Sequence, residues 1–449
     1  MASAKTLTIF MYPWFGMGHI TPYLVTANKF AKRGHKIFII IPPKAQSKLG
    51  PLNLHPQLIQ FLPISVPLLI DSETTNDVVS VQGNQLLRHA LDLTQPAVES
   101  LLREIKPDFV FSDFMHWLPG LARNLHIKSV HYSAASPVAM GFLLPDGPSN
   151  EDRASGPPGF PRPMTLSRYS TRGLKWFETA KEMGSNISMK QRLMTAVKES
   201  DAVGFKTCKE IDGFYCEVLE KEFKKPVLLA GPVVPKPLDS MTLDEKWVNW
   251  LEKFKPKTVI FCALGSETIL QKNQFQQLVL GFELTGLPFL VALRPPSGVD
   301  SIEEALPNGF KERTQERGIV YGGWVSQQLL LKHPVVGCFV THCGYGSMWE
   351  GLMSESQFVL LPHMGDQDVN ARLMSGELKI GVEVEKGDED GLFTAEGVCA
   401  AVMAVMAEES EIGKEVRANH IRLRELLLSE GFEESYFDEF VQKLRSLLE

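Results

Sequence analysis

Three observations predict an α/β protein built from two doubly wound units. Short apolar runs rich in β-branched and aromatic residues lack polar alternation, which marks parallel strands buried on both faces. Helix-period stretches separate these runs, as crossover connections between parallel strands require. The proline-rich piece Gly231-Pro232-Val233-Val234-Pro235-Lys236-Pro237 interrupts the rhythm, which then restarts, so it reads as a stiff linker. Two such units give a cleft between the carboxyl ends of two sheets, where ligands of these folds bind.

Before the linker, strands are expected at Leu7–Tyr12, Lys36–Ile41, Phe109–Ser112, Ser129–Tyr132 and Ala202–Phe205. Helical patterns such as Tyr23–Ala31 and Gln95–Glu104 lie between them. The first apolar run is too short for a signal peptide and meets Pro13, Gly16 and Gly18, so it reads as a buried strand. The stretch Leu144–Arg172, with six prolines, breaks the alternation and is expected to be a long surface loop with a functional use. Beyond the linker, strands are expected at Thr258–Leu264, Phe289–Leu293, Val335–Thr341 and Phe358–Leu361. The amphipathic pattern Ser435–Leu448 reads as a last helix that packs back on one of the units. The expected division is residues 1–235, 236–432 and a C-terminal helix within 433–449.

A length of 449 residues suits two or three domains, and 44% hydrophobic with 22% charged residues is ordinary for a folded protein. A net charge of -7 and the lack of any basic run of five argue against nucleic acid as the main partner. No run of eighteen apolar residues exists to span a membrane. The six cysteines form no CxxC pair, and the expectation is reduced thiols in a cytoplasmic protein.

The richest segment runs from Trp324 to Gln367. Its centre is Thr341-His342-Cys343-Gly344-Tyr345-Gly346, which follows a strand and precedes a helix expected from about Ser347. A glycine-containing turn that opens a helix offers backbone N–H groups and the positive end of the helix dipole to an anion. Such turns are also common without a ligand. Ser347-Met348-Trp349-Glu350 fits a capping box, so Glu350 is equally a cap or a ligand group on local sequence alone. Trp324 is an aromatic plate for a base or, failing that, a core residue.

The combination resembles the signature of plant family 1 UDP-sugar glycosyltransferases. The matching positions are Trp324, Gln327, His333-Pro334, Gly337, Thr341-His342-Cys343-Gly344, Ser347, Glu350-Gly351, Pro362, Asp366-Gln367 and Asn370-Ala371-Arg372, and the likeness extends to the Gly18-His19-Ile20 turn. It implies the GT-B fold: two facing Rossmann-like domains, the first for the acceptor and the second for the UDP-sugar. It also implies roles. Trp324 would stack on uracil, the Val325 backbone would bond its edge, and Gln327 and Glu350 would bond the ribose. His342, Ser347, Ser266 and backbone N–H groups at Gly344 and Gly346 would hold the diphosphate. Asp366 and Gln367 would bond hydroxyls of the sugar.

Most of the family has Trp-Asn where this chain has Tyr345-Gly346. The lost asparagine contact to phosphate must then come from the Gly346 backbone or disappear. The altered form resembles the branch that adds a sugar to an existing flavonoid or other glycoside.

His19 follows the first strand, and Pro22 suggests a helix from about Thr21. A histidine in a turn is often only structural, but the resemblance puts His19 where the family has its general base. Asp113 matches the carboxylate that orients the base; its other reading is a helix N-cap. His116 is expected to line the pocket or lie on the surface, and not to be the base.

The expected activity is inverting transfer from a UDP-sugar, glucose favoured, to a hydroxyl of a flavonoid glycoside. The alternatives are an aglycone phenol or flavonol as acceptor, and UDP-xylose or UDP-rhamnose as donor. No cofactor and no metal are expected, since no Asp-x-Asp pair is placed to hold one, and the chain is expected to act as a monomer. A UDP-binding module without catalysis is a competing reading that the His19–Asp113 pair opposes. A nicotinamide dehydrogenase ranks low because no GxGxxG follows the first strand.

Overall fold

The computed structural model describes residues 5–67, 81–145, 160, 164–234 and 242–449, with residues 81 and 82 described by backbone alone. It divides into two units. One comprises Met1–Asp146, Lys175–Pro235 and Glu430–Glu449; the other comprises Gly147–Leu174 and Lys236–Ser429.

The first unit contains β1 Thr8–Tyr12, β2 Lys36–Ile41, β3 Ile59–Pro63, β4 Phe109–Ser112, β5 Lys128–Ser133, β6 Ala202–Phe205 and β7 Val227–Leu229. They form one sheet in the order β3-β2-β1-β4-β5-β6-β7. The second unit contains β8 Val259–Ala263, β9 Phe289–Ala292, β10 Gly318–Tyr321, β11 Val336–Thr341, β12 Gln357–Leu360 and β13 Gly381–Glu383, in the order β10-β9-β8-β11-β12-β13. Every pairing within the two sheets is parallel. Successive side chains of a strand point to opposite faces, and β1 divides accordingly. Ile9 and Met11 enter one apolar cluster, Phe10 and Tyr12 another. Both faces are covered, which is why the strand reads as an unbroken apolar run.

Sheet order locates the sites. Strand order reverses between β1 and β4 in the first sheet and between β8 and β11 in the second. In doubly wound sheets the crevice at such a switch point, beyond the carboxyl ends of the strands, receives the ligand.

The last helix, Phe432–Ser446, buries Phe437, Phe440, Val441 and Leu444 against Phe30, Phe111 and Tyr132 in the first unit. Each such side chain contributes about 1.5–3 kcal/mol when fully buried. Arg33 bonds Glu434 (2.6 Å) and Asp438 (2.7 Å) at its edge.

The long proline-rich stretch departs from a plain surface loop. Residues 146–159 and 161–163 of it lie outside the described residues, as do residues 68–80. Leu144, Met164 and Leu166 are buried, and a helix, Arg168–Thr179, begins inside the stretch. Its apolar ends have a core to enter, and Gly147–Leu174 groups with the second unit instead of the first. Among the described residues no helix is long and apolar enough to cross a membrane. All six cysteines are free thiols.

Candidate active site

In the first unit, β1 ends at Tyr12 directly beside Ser112, the last residue of β4. The segment after β1 folds into a helix at once: Gly16 O accepts from His19 N and Ile20 N (both 2.9 Å), and the helix runs Met17–Lys32. It therefore starts about four residues before the expected position, and Pro22 falls inside it instead of at its first position. His19 stands in the first helical turn, so a rigid backbone aims it.

Asp113 follows β4 and is buried. Its Oδ1 accepts from the Trp14 and Phe114 N–H groups (2.8 Å each), and its Oδ2 lies 2.5 Å from His19 Nδ1. It caps no helix; the next one, Leu118–Asn124, has Trp117 at its N-cap. A carboxylate so bound fixes the Nδ1–H tautomer of His19 and leaves the lone pair on Nε2, the atom that can take a proton. The Phe114 ring packs on the imidazole at 5.4 Å between centroids and on Trp14 at 5.5 Å.

Behind Phe114 lies a buried ion network that the sequence did not signal. Arg192 donates from Nε to Glu182 (2.7 Å) and from its two terminal nitrogens to Asp92 (2.8 and 2.7 Å). Arg88 also pairs with Glu182. Burial opposes the charge on Arg192, and the hydrogen bonds and charges of Asp92 and Glu182 more than offset it. These residues are scattered along the chain with no motif spacing, so nothing in the sequence marks them as partners.

In the second unit, four turns at the carboxyl ends of parallel strands supply the predicted donor residues. Ser266 follows β8 and is exposed; Trp324, Val325 and Gln327 follow β10. His342, Gly344, Gly346, Ser347 and Glu350 follow β11; Asp366 and Gln367 follow β12. Trp324 is 79% exposed, which removes the reading of a core tryptophan, and the Val325 side chain is buried.

The turn after β11 is tightly made. Cys343 takes φ 63°, a left-handed conformation uncommon away from glycine and costing about 1–3 kcal/mol. Asn370 holds it there, donating to Cys343 O (2.9 Å) and to Asp366 Oδ2 (3.3 Å). Asn370 thus ties the β11 and β12 turns together; its place in the matched motif was the only signal for this role. The helix runs Tyr345–Leu352 with Gly344 as N-cap and no side-chain cap, so it begins two residues before the expected Ser347. Gly346 N–H then falls in the first helical turn, ahead of the first intrahelical bond, Met348 N to Gly344 O. Tyr345 is buried edge-on to Trp349.

The capping box does not form. Ser347 and Glu350 instead share a helix face with Gln327, whose Nε2 donates to Ser347 Oγ (3.2 Å) and Glu350 Oε2 (2.6 Å). Gln328, absent from the expected set, donates to Glu350 Oε1 (2.9 Å). Gln367 uses its Oε1 to receive His363 N and Met364 N.

His342 is packed against two glycines. A Cβ on Gly265 or Gly344 would stand 2.7 or 2.4 Å from its Nε2, and Gly265 also has φ +77°. Burial pushes its pKa down to about 4, and the neighbouring His363 is pushed to about 3 by burial with help from Lys386 and His342. The His342 ring is therefore neutral at pH 7. A neutral imidazole can still donate one N–H to a diphosphate oxygen, but it brings no positive charge of its own.

Two parallel-sheet α/β units, each with polar groups gathered at its switch point, define the GT-B class of fold. A Glycyrrhiza uralensis glycosyltransferase crystallised with glycyrrhetinic acid 3-O-monoglucuronide superimposes with a TM-score of 0.80 at 20% identity, over 99% of this chain and 96% of that one. The profile of the UDP-glucoronosyl and UDP-glucosyl transferase family matches residues 300–423. The anthocyanidin 3-O-glucoside 2''-O-glucosyltransferase of Ipomoea nil is 50% identical over 100% of this chain and 99% of its own length. The cyanidin 3-O-galactoside 2''-O-xylosyltransferase of Actinidia chinensis is 49% identical over 99% of both chains. The chain belongs to the UDP-glucoronosyl and UDP-glucosyl transferase family and is a UDP-glycosyltransferase.

Proposed function

We propose that this enzyme extends a flavonoid glycoside, moving a sugar from a UDP-sugar to a hydroxyl of the sugar already attached. The observation that carries the proposal is near-half identity, over the whole chain, to relatives named for 2''-O-transfer onto anthocyanidin 3-O-glycosides. The Tyr345-Gly346 form of the β11 turn supports the same branch.

In this reading His19 Nε2 removes the hydroxyl proton as the oxygen attacks the anomeric carbon from the side opposite the diphosphate. The bond to the diphosphate breaks and the configuration inverts. Asp113 keeps the imidazole in its tautomer and stabilises the imidazolium that forms. Sugar hydroxyls are weak nucleophiles at neutral pH, and such a base contributes about 10²–10⁴-fold. UDP departs with its charge met by preorganised donors: His342, Ser266, Ser347 and the N–H groups of the β11 turn. Trp324 stacks on uracil, the Val325 backbone bonds the uracil edge, and Gln327 and Glu350 bond the ribose. Asp366 and Gln367 hold the sugar, with UDP-glucose as the favoured donor. The reading calls on no metal or further cofactor, and takes the enzyme to work as a cytoplasmic monomer.

The relatives' names include both glucosyl and xylosyl transfer, so the donor is tested together with the acceptor. Cyanidin and its 3-O-glucoside are each incubated with UDP-glucose, UDP-xylose and UDP-rhamnose, and products are read by mass spectrometry. The expected product is a diglycoside from the glucoside with UDP-glucose. Turnover of the aglycone ten times faster than that of the glucoside would replace this reading with first-sugar transfer.

A further inference from the structure

Two histidines beside one loop of the first unit are set in opposite tautomers. His19 donates a hydrogen bond from its Nδ1–H to the Asp113 carboxylate, so its Nε2 carries a lone pair. His116 Nδ1 lies 2.9 Å from Arg192 Nη1. A guanidinium only donates, so Nδ1 of His116 accepts and the ring proton sits on Nε2. One histidine is built as an acceptor of protons, the other as a donor.

The lock on His116 is strong. Arg192 is itself buried and held by Asp92 and Glu182, and its Nη1 reaches the Phe114 carbonyl (3.4 Å) as well as His116. The charged groups facing the His116 ring are Arg192, Asp92 (3.6 Å from Nδ1) and Glu182. Burial and the Arg192 charge lower its pKa against the opposing pull of the two carboxylates, which keeps the ring neutral.

The loop also links the two histidines. Met115 is buried, whereas Phe114 and His116 on either side of it are partly exposed. Phe114 is the ring that packs on His19. The Nδ1 edge of His116 turns in to a buried guanidinium, and 24% of its side chain stays accessible. Among the described residues no group hydrogen-bonds Nε2.

We propose that His116 is a specificity-determining acceptor contact, a fixed neutral imidazole whose Nε2–H donates to an oxygen of the acceptor, with Arg192 as its positioning residue. This rests on the reading that the acceptor hydroxyl is brought to His19. A neutral donor beside a base suits an oxygen-rich acceptor such as a glycoside: it fixes one oxygen without competing for the proton of another.

The test uses the full-length enzyme with UDP-glucose and cyanidin 3-O-glucoside. His116→Phe is expected to raise the acceptor KM about tenfold while kcat stays within about threefold, the pattern of lost uniform binding. His116→Gln, which keeps an N–H donor, is expected to recover most of that loss. Nitrogen NMR of histidine-labelled wild-type enzyme at pH 7.5 is expected to show His116 protonated on Nε2 only. Glutamine no better than phenylalanine, an unchanged KM in His116→Phe, or a His116 ring carrying its proton on Nδ1 at that pH would each overturn the proposal. The NMR reading needs no turnover, so failure here stays distinct from failure of the His19 assignment, which shows only as activity surviving in His19→Ala.

Discussion

The two switch points carry a histidine each, and the two are wired differently. His19, after β1, is bonded through Nδ1 to a buried carboxylate that is itself fixed by two main-chain N–H groups. His342, after β11, has glycines at its Nε2 edge, and burial alone pushes its pKa down to about 4. Topology places both residues at the carboxyl end of a central parallel strand. The neighbours then decide what each can do. A carboxylate partner fixes which ring nitrogen of His19 keeps its lone pair, whereas burial without an acid keeps His342 a neutral donor. A histidine after an apolar strand is therefore no sign of a base until its Nδ1 partner is known.

The largest expected effect lies on the first side of this comparison. His19→Ala should lower turnover by about 10²–10⁴-fold, the contribution of a positioned base. UDP affinity measured by calorimetry should be unchanged, because the residues proposed to hold the donor all belong to the second unit. A folded His19→Ala enzyme with near-normal turnover would break the contrast between base and neutral donor.

A smaller effect is expected from crowding the other histidine. Gly344→Ala sets a Cβ 2.4 Å from His342 Nε2, a separation that real atoms do not tolerate. The ring or the turn must shift, and overpacking of this kind costs about 1–3 kcal/mol. If that cost falls on the donor site, the UDP Kd rises roughly fivefold to hundredfold, since about 1.4 kcal/mol is a factor of ten. Unchanged UDP affinity in Gly344→Ala would mean the turn relaxes freely and that His342 takes no part in donor binding.

Much of this was legible in the sequence, and what was missed has a physical pattern. The nine inner strands were all expected from their apolar runs. The four that escaped, β3, β7, β10 and β13, are the four sheet edges. They are three to five residues long, and three of them are largely half-exposed, so they lack the continuous apolar signal of a strand covered on both faces. The β11 turn was legible because Gln327, Ser347 and Glu350 stand at the spacings of a known signature, although they lie 20 and 23 positions apart and meet only through the fold. The capping-box pattern misled because Gly344, earlier in the turn, is the N-cap, which moves Ser347 inside the helix. The Arg192 network was not legible at all. Its carboxylates lie 10 and 100 positions away and belong to no motif, so nothing in a single sequence records the pairing.

The smallest expected effect concerns stability. His342 has an unfolded pKa of about 6.5 and a folded value of about 4. Between those values the unfolded chain binds a proton that the folded chain does not, so stability rises with pH. The contribution is fully present above about pH 6.5 and is lost as pH falls towards 4, at no more than about 1.4 kcal/mol per pH unit. Other buried histidines, His131 and His420 among them, are also held near 4, so the whole protein should lose stability over the same window. His342→Gln removes one of these protons. Its stability, measured by chemical denaturation at pH 5 and pH 7, should therefore fall less between the two than that of the wild type. Equal losses would mean that folded His342 is protonated at pH 5. The neutral donor of the second switch point would then be, in mild acid, a cation, and the two histidines would differ less than their neighbours imply.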